Sequence, residues 1–180
     1  MKTIVSMALT VVFVSTAFAS ADVVSAVHGS IVKIDSGARI VVVKTADGTR
    51  HSLHLIDRTA VHGAETSADA VKDSWHGLAK GSEVVAHYTS RASLDTVVEI
   101  DRVGRDGLKT ARGTVTDVGR GGKTLVVDTG DGVKKTFELT DHASEDAGKD
   151  IAKRTIKGSK VAVYYTEDAG KSVAHFFEVL

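Results

Sequence analysis

Residues 28–57 read HGSIVKIDSGARIVVVKTADGTRHSLHLID, and residues 112–141 read RGTVTDVGRGGKTLVVDTGDGVKKTFELTD. The two stretches align without a gap at an offset of 84: Gly29 meets Gly113, Ile31 meets Val115, Ile34 meets Val118, Gly37 meets Gly121. Val41-Val42-Val43 then meets Leu125-Val126-Val127, Asp47-Gly48 meets Asp131-Gly132, and Leu53 and Leu55 meet Phe137 and Leu139. Further on the offset falls to 77, with Lys80-Gly81-Ser82 on Lys157-Gly158-Ser159 and Tyr88-Thr89 on Tyr165-Thr166. Two matched blocks in the same order are the signature of an internal repeat. The first copy carries seven extra residues between the blocks, the difference between 84 and 77.

Each copy reads as five strands. The first covers Gly29–Ile34 (Gly113–Val118), and the second is a β-branched run, Arg39–Thr45 (Lys123–Thr129), bounded by turn residues. The Asp-Gly pairs that follow are strong hairpin signals, because glycine accepts the positive φ such turns need. Strand three, Arg50–Leu55 (Lys134–Leu139), alternates apolar and polar residues as a half-buried strand does. A short helix is expected over Ser67–Leu78, where Ala68, Val71, Trp75 and Leu78 share one face, with a weaker version near Ala147–Ile156. Strand four follows Gly81 (Gly158), with Val84, Ala86 and Tyr88 inward (Val161, Val163, Tyr165), and strand five is Thr96–Val103 (Val173–Leu180). Three strands, a helix and two strands is the order of the OB-fold barrel. The expected class is therefore all-β with one short helix per unit: two tandem five-stranded OB-like barrels. Strand order alone leaves an SH3-like barrel open.

The chain ends fix the expected boundaries. Met1-Lys2, an apolar run from Ile4 to Phe18 and Ala17-Phe18-Ala19 compose a secretory signal peptide over 1–19, cut after Ala19 or alternatively Ala21. At about 15 residues the run is shorter than the ~20 a bilayer-spanning helix needs. The first unit is placed at 22–104, a polar linker at 105–111 and the second unit at 112–180. The protein is thus expected to be exported, periplasmic or secreted, with no transmembrane segment after signal removal. It has no cysteine, so neither disulfides nor thiolate chemistry enter.

Equal numbers of acidic and basic residues (23 each) leave no electrostatic footprint for nucleic acid, and 5% aromatics give few stacking platforms. No nucleophile elbow, P-loop or dinucleotide fingerprint occurs, so no enzyme is expected. Asp57 with Glu65, and Asp141 with Glu145, read as turn and cap residues. Asp128-Thr-Gly-Asp131-Gly132 lacks the remaining ligands of a calcium loop and reads as a hairpin turn.

The repeated residues Gly113, Val115, Leu125, Asp131-Gly132, Phe137, Leu139, Asp141, Gly158, Val161 and Tyr164-Tyr165 resemble those of small exported bacterial β-barrel domains of unknown function. The resemblance implies a scaffold and carries no catalytic residues. It points to a non-catalytic binding or structural module of the bacterial cell envelope, with a protein, peptide or glycan as partner and no cofactor.

Histidine supplies the alternative. Six of the eight lie in the first copy, and imidazole suits Zn²⁺ or Cu²⁺. A periplasmic divalent-metal-binding protein would draw on His51, His62, His76 and His87 across the barrel mouth. Against it, His51 and His54 face opposite sides of one strand. His28, His51, His54 and His87 also align with Arg112, Lys135, Glu138 and Tyr164, residues suited to solvated positions. An envelope enzyme is a further, weaker alternative. Trp75 is expected to plug the first barrel beneath its helix. By alternation, one residue of Tyr164-Tyr165 and one of Phe176-Phe177 should face outward and suit packing between the units.

Overall fold

The computed structural model describes residues 24–63, 75–105, 107–130, 132–152 and 156–180. The expected signal peptide and most of the expected helix over Ser67–Leu78 lie outside them. Strand is the dominant structure. In the first unit, β1 (Val24–Asp35), β2 (Ile40–Lys44), β3 (Arg50–His54), β4 (Ala60–His62), β5 (Glu83–Arg91) and β6 (Leu94–Arg102) form a sheet in the order β3-β2-β1-β5-β6-β4. A parallel pairing of β3 with β6, Leu53 opposite Asp95, closes it. The second unit contains β7 (Lys109–Val118), β8 (Thr124–Asp128), β9 (Lys134–Leu139), α1 (Asp141–Ala152), β10 (Lys160–Asp168) and β11 (Lys171–Val179). Its strands make a closed barrel, again with a parallel closing pair, Phe137 opposite Ser172. Closure leaves few strand edges to pair with other chains.

The offsets read from sequence recur in the registers. Ser30 pairs with Lys44 as Thr114 pairs with Asp128. A bulge between Ile31 and Lys33 returns between Val115 and Asp117. A register shift at His87/Tyr88 returns at Tyr164/Tyr165, leaving Val98 and His175 as the extra residues opposite them. Such bulges bend a strand and re-aim a side chain.

Gly29 and Gly113 also play one role twice. A Cβ at Gly29 would run into the carbonyl oxygen of Lys44, and one at Gly113 into that of Asp128. We expect Gly113→Ala to cost about 1–3 kcal/mol, as overpacking does, and to lower the thermal midpoint accordingly. Gly37→Ala, whose Cβ would meet only Asp35 Oδ1 at 3.7 Å, should stay within about 0.5 kcal/mol of the parent. Equal midpoints for the two variants would refute the close approach.

Each barrel has its own core: Ile31, Val41, Val43, Leu53, Val84, Ala86, Val97 and Ile100 in the first, Val115, Leu125, Val127, Phe137, Val161, Val163, Tyr165 and Phe177 in the second. Trp75 is half-buried against the first core. The residues after it do not end a helix. Trp75 and Leu78 exchange backbone hydrogen bonds of 3.0 Å in both directions across His76 (φ 54°) and Gly77 (φ 75°). Two successive positive φ angles make a tight primed turn.

The second helix starts earlier than expected, at Asp141. Thr140 caps it: its hydroxyl accepts from the Ala143 N–H (3.1 Å) and its carbonyl from that of Ser144 (2.9 Å). Ala143 then points into the second core. The cap was overlooked because polar residues surround it. The stretch read as linker is shorter too, since Lys109–Ala111 already pair with Tyr165–Val163 as the start of β7. Among the described residues, no helix is long and apolar enough to cross a membrane.

A third apolar cluster lies between the barrels: Val85, Leu108, Ala162, Tyr164 and Phe176. Val85 and Ala162 are the same position at the offset of 77, on the outer faces of β5 and β10. Tyr164 and Phe176 face this cluster while Tyr165 and Phe177 face the core, the division expected from alternation.

Candidate metal centre between the barrels

The polar residues beside that cluster come from five elements. On β6 the bulge at Val98 leaves Val97 and Ile100 in the core and turns Glu99 and Asp101 outward. His87 on β5 stands opposite Glu99. The short strand β4 lies in the part of the first unit that carries the extra residues, and it runs parallel to β6 with His62 opposite Asp101. Thr59 fixes its entry, accepting from the Ile56 N–H and donating to the Val97 carbonyl at 3.0 and 2.8 Å. From the second barrel come His142, the second residue of α1, and His175, the bulge residue of β11.

His62 Nδ1 lies 2.9 Å from Asp101 Oδ1 and 3.1 Å from Glu99 Oε1. The other Glu99 oxygen takes His142 Nδ1 at 2.9 Å. The other Asp101 oxygen has His175 Nδ1 at 3.4 Å, beyond an ordinary hydrogen bond. His175 Nε2 is 3.1 Å from the Thr166 hydroxyl. The rings of His87 and His142 are 5.5 Å apart. Among the described residues, His62, Glu99 and Asp101 offer donor atoms that all lie within 4.8 Å of one another.

Burial sets the electrostatics. Asp101 is 2% exposed and His87 fully enclosed. Both ring nitrogens of His87, and Asp101 Oδ2, lack a hydrogen-bond partner. Orphaned buried polar atoms are rare in proteins and cost free energy unless something satisfies them. Burial drives the His87 pKa from 6.5 down to about 4, against the pull of Glu99 and Asp101. Burial also lifts the Asp101 carboxyl, but His175 and His62 outweigh it and hold its pKa below the ordinary value. At His175 burial lowers the pKa, yet Asp101 and then Glu99 prevail and raise it.

The other end of the interface is a satisfied network. His28 Nε2 contacts Glu83 Oε1 at 2.7 Å, and its Nδ1 lies 3.0 Å from the Tyr164 hydroxyl, which donates to Glu178 Oε1 at 2.8 Å. Burial, then Glu178, raises the Tyr164 pKa.

Of the four histidines singled out from sequence, the fold brings two together, His62 and His87, at the interface between the barrels. His51, on β3, lines a cleft with His28, Asp47 and Phe176, and His76 stands in the turn beside Trp75, near Arg39 and Asp57. Neither joins the cluster. Four partners were missed: Glu99, Asp101, His142 and His175. The alignment of His87 with Tyr164 also misled, because both positions are buried between barrels. A usable signal was present, since the outward positions 85 and 162 are apolar in both copies.

The strand topology defines a class, tandem OB-like small β-barrels, and three solved structures are similar to the chain at low identity and TM-score. Ag(I)CusF matches at 13% identity and a TM-score of 0.33, over 44% of this chain and 96% of that one. Apo-CusF from Escherichia coli matches at 11% and 0.34, over 50% of this chain and 98% of that one. A cold-shock segment of Drosophila Unr matches at 12% and 0.31, over 87% of this chain and 61% of that one. No protein-family model matches the sequence. No curated protein matches it either.

Proposed function

We propose that the protein is a non-catalytic, exported module of the bacterial envelope that binds a divalent transition-metal ion between its two barrels. The observation that carries the reading is the trio His62, Glu99 and Asp101, its donor atoms within 4.8 Å of one another beside the unpartnered, enclosed His87. Zinc bonds to nitrogen and oxygen are about 2.0–2.2 Å long. Donors 2.9 and 3.1 Å apart therefore need only small adjustments to surround an ion. Ligation through His62 Nδ1 uses the neutral ring with its proton on Nε2.

The donor set selects the metal class. Met1 and Met7 are the only sulfur-bearing residues of the chain, and both lie in the expected signal peptide. Imidazole and carboxylate suit Zn²⁺ and Cu²⁺, whereas Cu(I) favours thiolate and thioether. The support for export is the leader motif, Met1-Lys2 followed by the apolar run to Phe18 and Ala17-Phe18-Ala19. The support for a non-catalytic role is a repeat that conserves scaffold positions between its copies and nothing reactive.

Calorimetric titration of the mature, untagged protein with Zn²⁺ tests the reading. One site is expected, lost or strongly weakened in His62→Ala and unchanged in His51→Ala. Absence of binding, or loss in the His51 variant alone, overturns it.

A further inference from the structure

We infer that the bound ion takes a fourth ligand, His142, from the second barrel, so that metal occupancy ties the two barrels together. This rests on the metal-binding reading above. His62, Glu99 and Asp101 all belong to the first barrel, and three protein ligands leave a zinc ion one position short of the closed set of four typical of structural sites. Two further imidazoles reach the same carboxylates, both from the second barrel.

Their surroundings assign them different parts. His175 meets the Thr166 hydroxyl at Nε2 (3.1 Å) and faces Asp101 Oδ2 at 3.4 Å from Nδ1, with its side chain 17% exposed. It is a positioning residue, set against the Asp101 carboxylate by Thr166 as outer partners of metal ligands are. His142 stands on the first turn of α1 with its side chain 38% exposed. It is bound to Glu99 Oε2 while His62 is bound to Glu99 Oε1, so a single carboxylate stands between the two imidazoles. His142 stands outside the trio whose donor atoms lie within 4.8 Å of one another, so its partly exposed ring swings about Glu99 to join an ion held there. The enclosed His87, without a partner at either nitrogen, lies against the His142 ring, 5.5 Å away between centroids.

Five buried residues form the apolar part of the interface, and domain interfaces of modest size move by default. A ligand that binds only the docked arrangement stabilises that arrangement by mass action. The ion would therefore favour the docked arrangement of the two barrels over any undocked one.

The chain has no cysteine, so a pair introduced at the exposed Arg58 and Lys134 can carry spin labels, one on each barrel. In the labelled protein, Zn²⁺ should narrow the inter-label distance distribution to one peak. In the same protein with His142→Ala, Zn²⁺ should still bind, roughly 10- to 100-fold more weakly, and leave the distribution as broad as without metal. The tetrahedral absorption of bound Co²⁺ should be lost with the same substitution. Zn²⁺ affinity and narrowing unchanged in the His142 variant would overturn the inference while leaving the metal site standing. No Zn²⁺ binding by the parent protein would overturn both.

Discussion

Glu99→Gln combined with Asp101→Asn should abolish stoichiometric Zn²⁺ binding, with an affinity loss of more than about 100-fold, the upper end of what outer-shell changes alone produce. The two substitutions keep side-chain size and remove both negative charges from the cluster. Asp101 is 2% exposed, and a cation placed there without a counter-charge carries a desolvation penalty of several kcal/mol. The variant should keep its barrels, because both side chains face away from the core made by Val97 and Ile100 and their size is unchanged. The readout is the thermal midpoint with and without metal. Zn²⁺ at 100 times its Kd adds about 2.7 kcal/mol to the stability of a protein that binds it only when folded. The parent should show that gain and the variant none. A similar gain in both would remove the carboxylates from the site.

Acid should open the metal-free protein through His87. Its pKa is about 4 in the folded chain against 6.5 ordinarily, so between those values the exposed ring binds a proton that the buried ring refuses. Stability is therefore whole above about pH 6.5 and falls as the pH drops toward 4. At ~1.4 kcal/mol per pKa unit the loss is on the order of 2–3 kcal/mol. Undocking the barrels is enough to hydrate the ring, so the penalty is capped by the docking energy itself. His175 works the other way. Its raised pKa stabilises the docked state in acid and loses that contribution as the pH rises through the raised value. Comparing the parent with His87→Leu isolates the first effect. In chelator, the change in midpoint between pH 7 and pH 4.5 should be smaller in the variant; an equal change would mean that His87 is already hydrated.

The scaffold was legible because it is local and repeated. Gly29 and Gly113, the Asp-Gly turns and the alternation through Val84, Ala86 and Tyr88 each act within a few residues of themselves. The copy offset then checked every one of them. Alternation also gave that one residue of each pair, Tyr164-Tyr165 and Phe176-Phe177, faces outward, and the structure assigns Tyr164 and Phe176 to that side. The site was not legible in that way. His62 and His175 are separated by more than half the chain, and they meet only because the outer faces of β5–β6 and β10–β11 pack together. The repeat, so useful for the fold, worked against the site. Position 87 is His in one copy and Tyr in the other, and the comparison reads as tolerance to solvent when both residues are buried by the same interface. The strand β4, only three residues long, carries no periodicity from which to infer it, yet it places His62 beside Asp101.

An ion is expected between the barrels on His62, Glu99 and Asp101. Anomalous diffraction at the zinc edge, from crystals of the mature untagged protein grown with stoichiometric Zn²⁺, tests it most directly. The expected result is one strong peak about 2.0–2.2 Å from His62 Nδ1 and from an oxygen of each carboxylate. A peak at His51 or His76 instead, or no ordered zinc between the barrels, would contradict it.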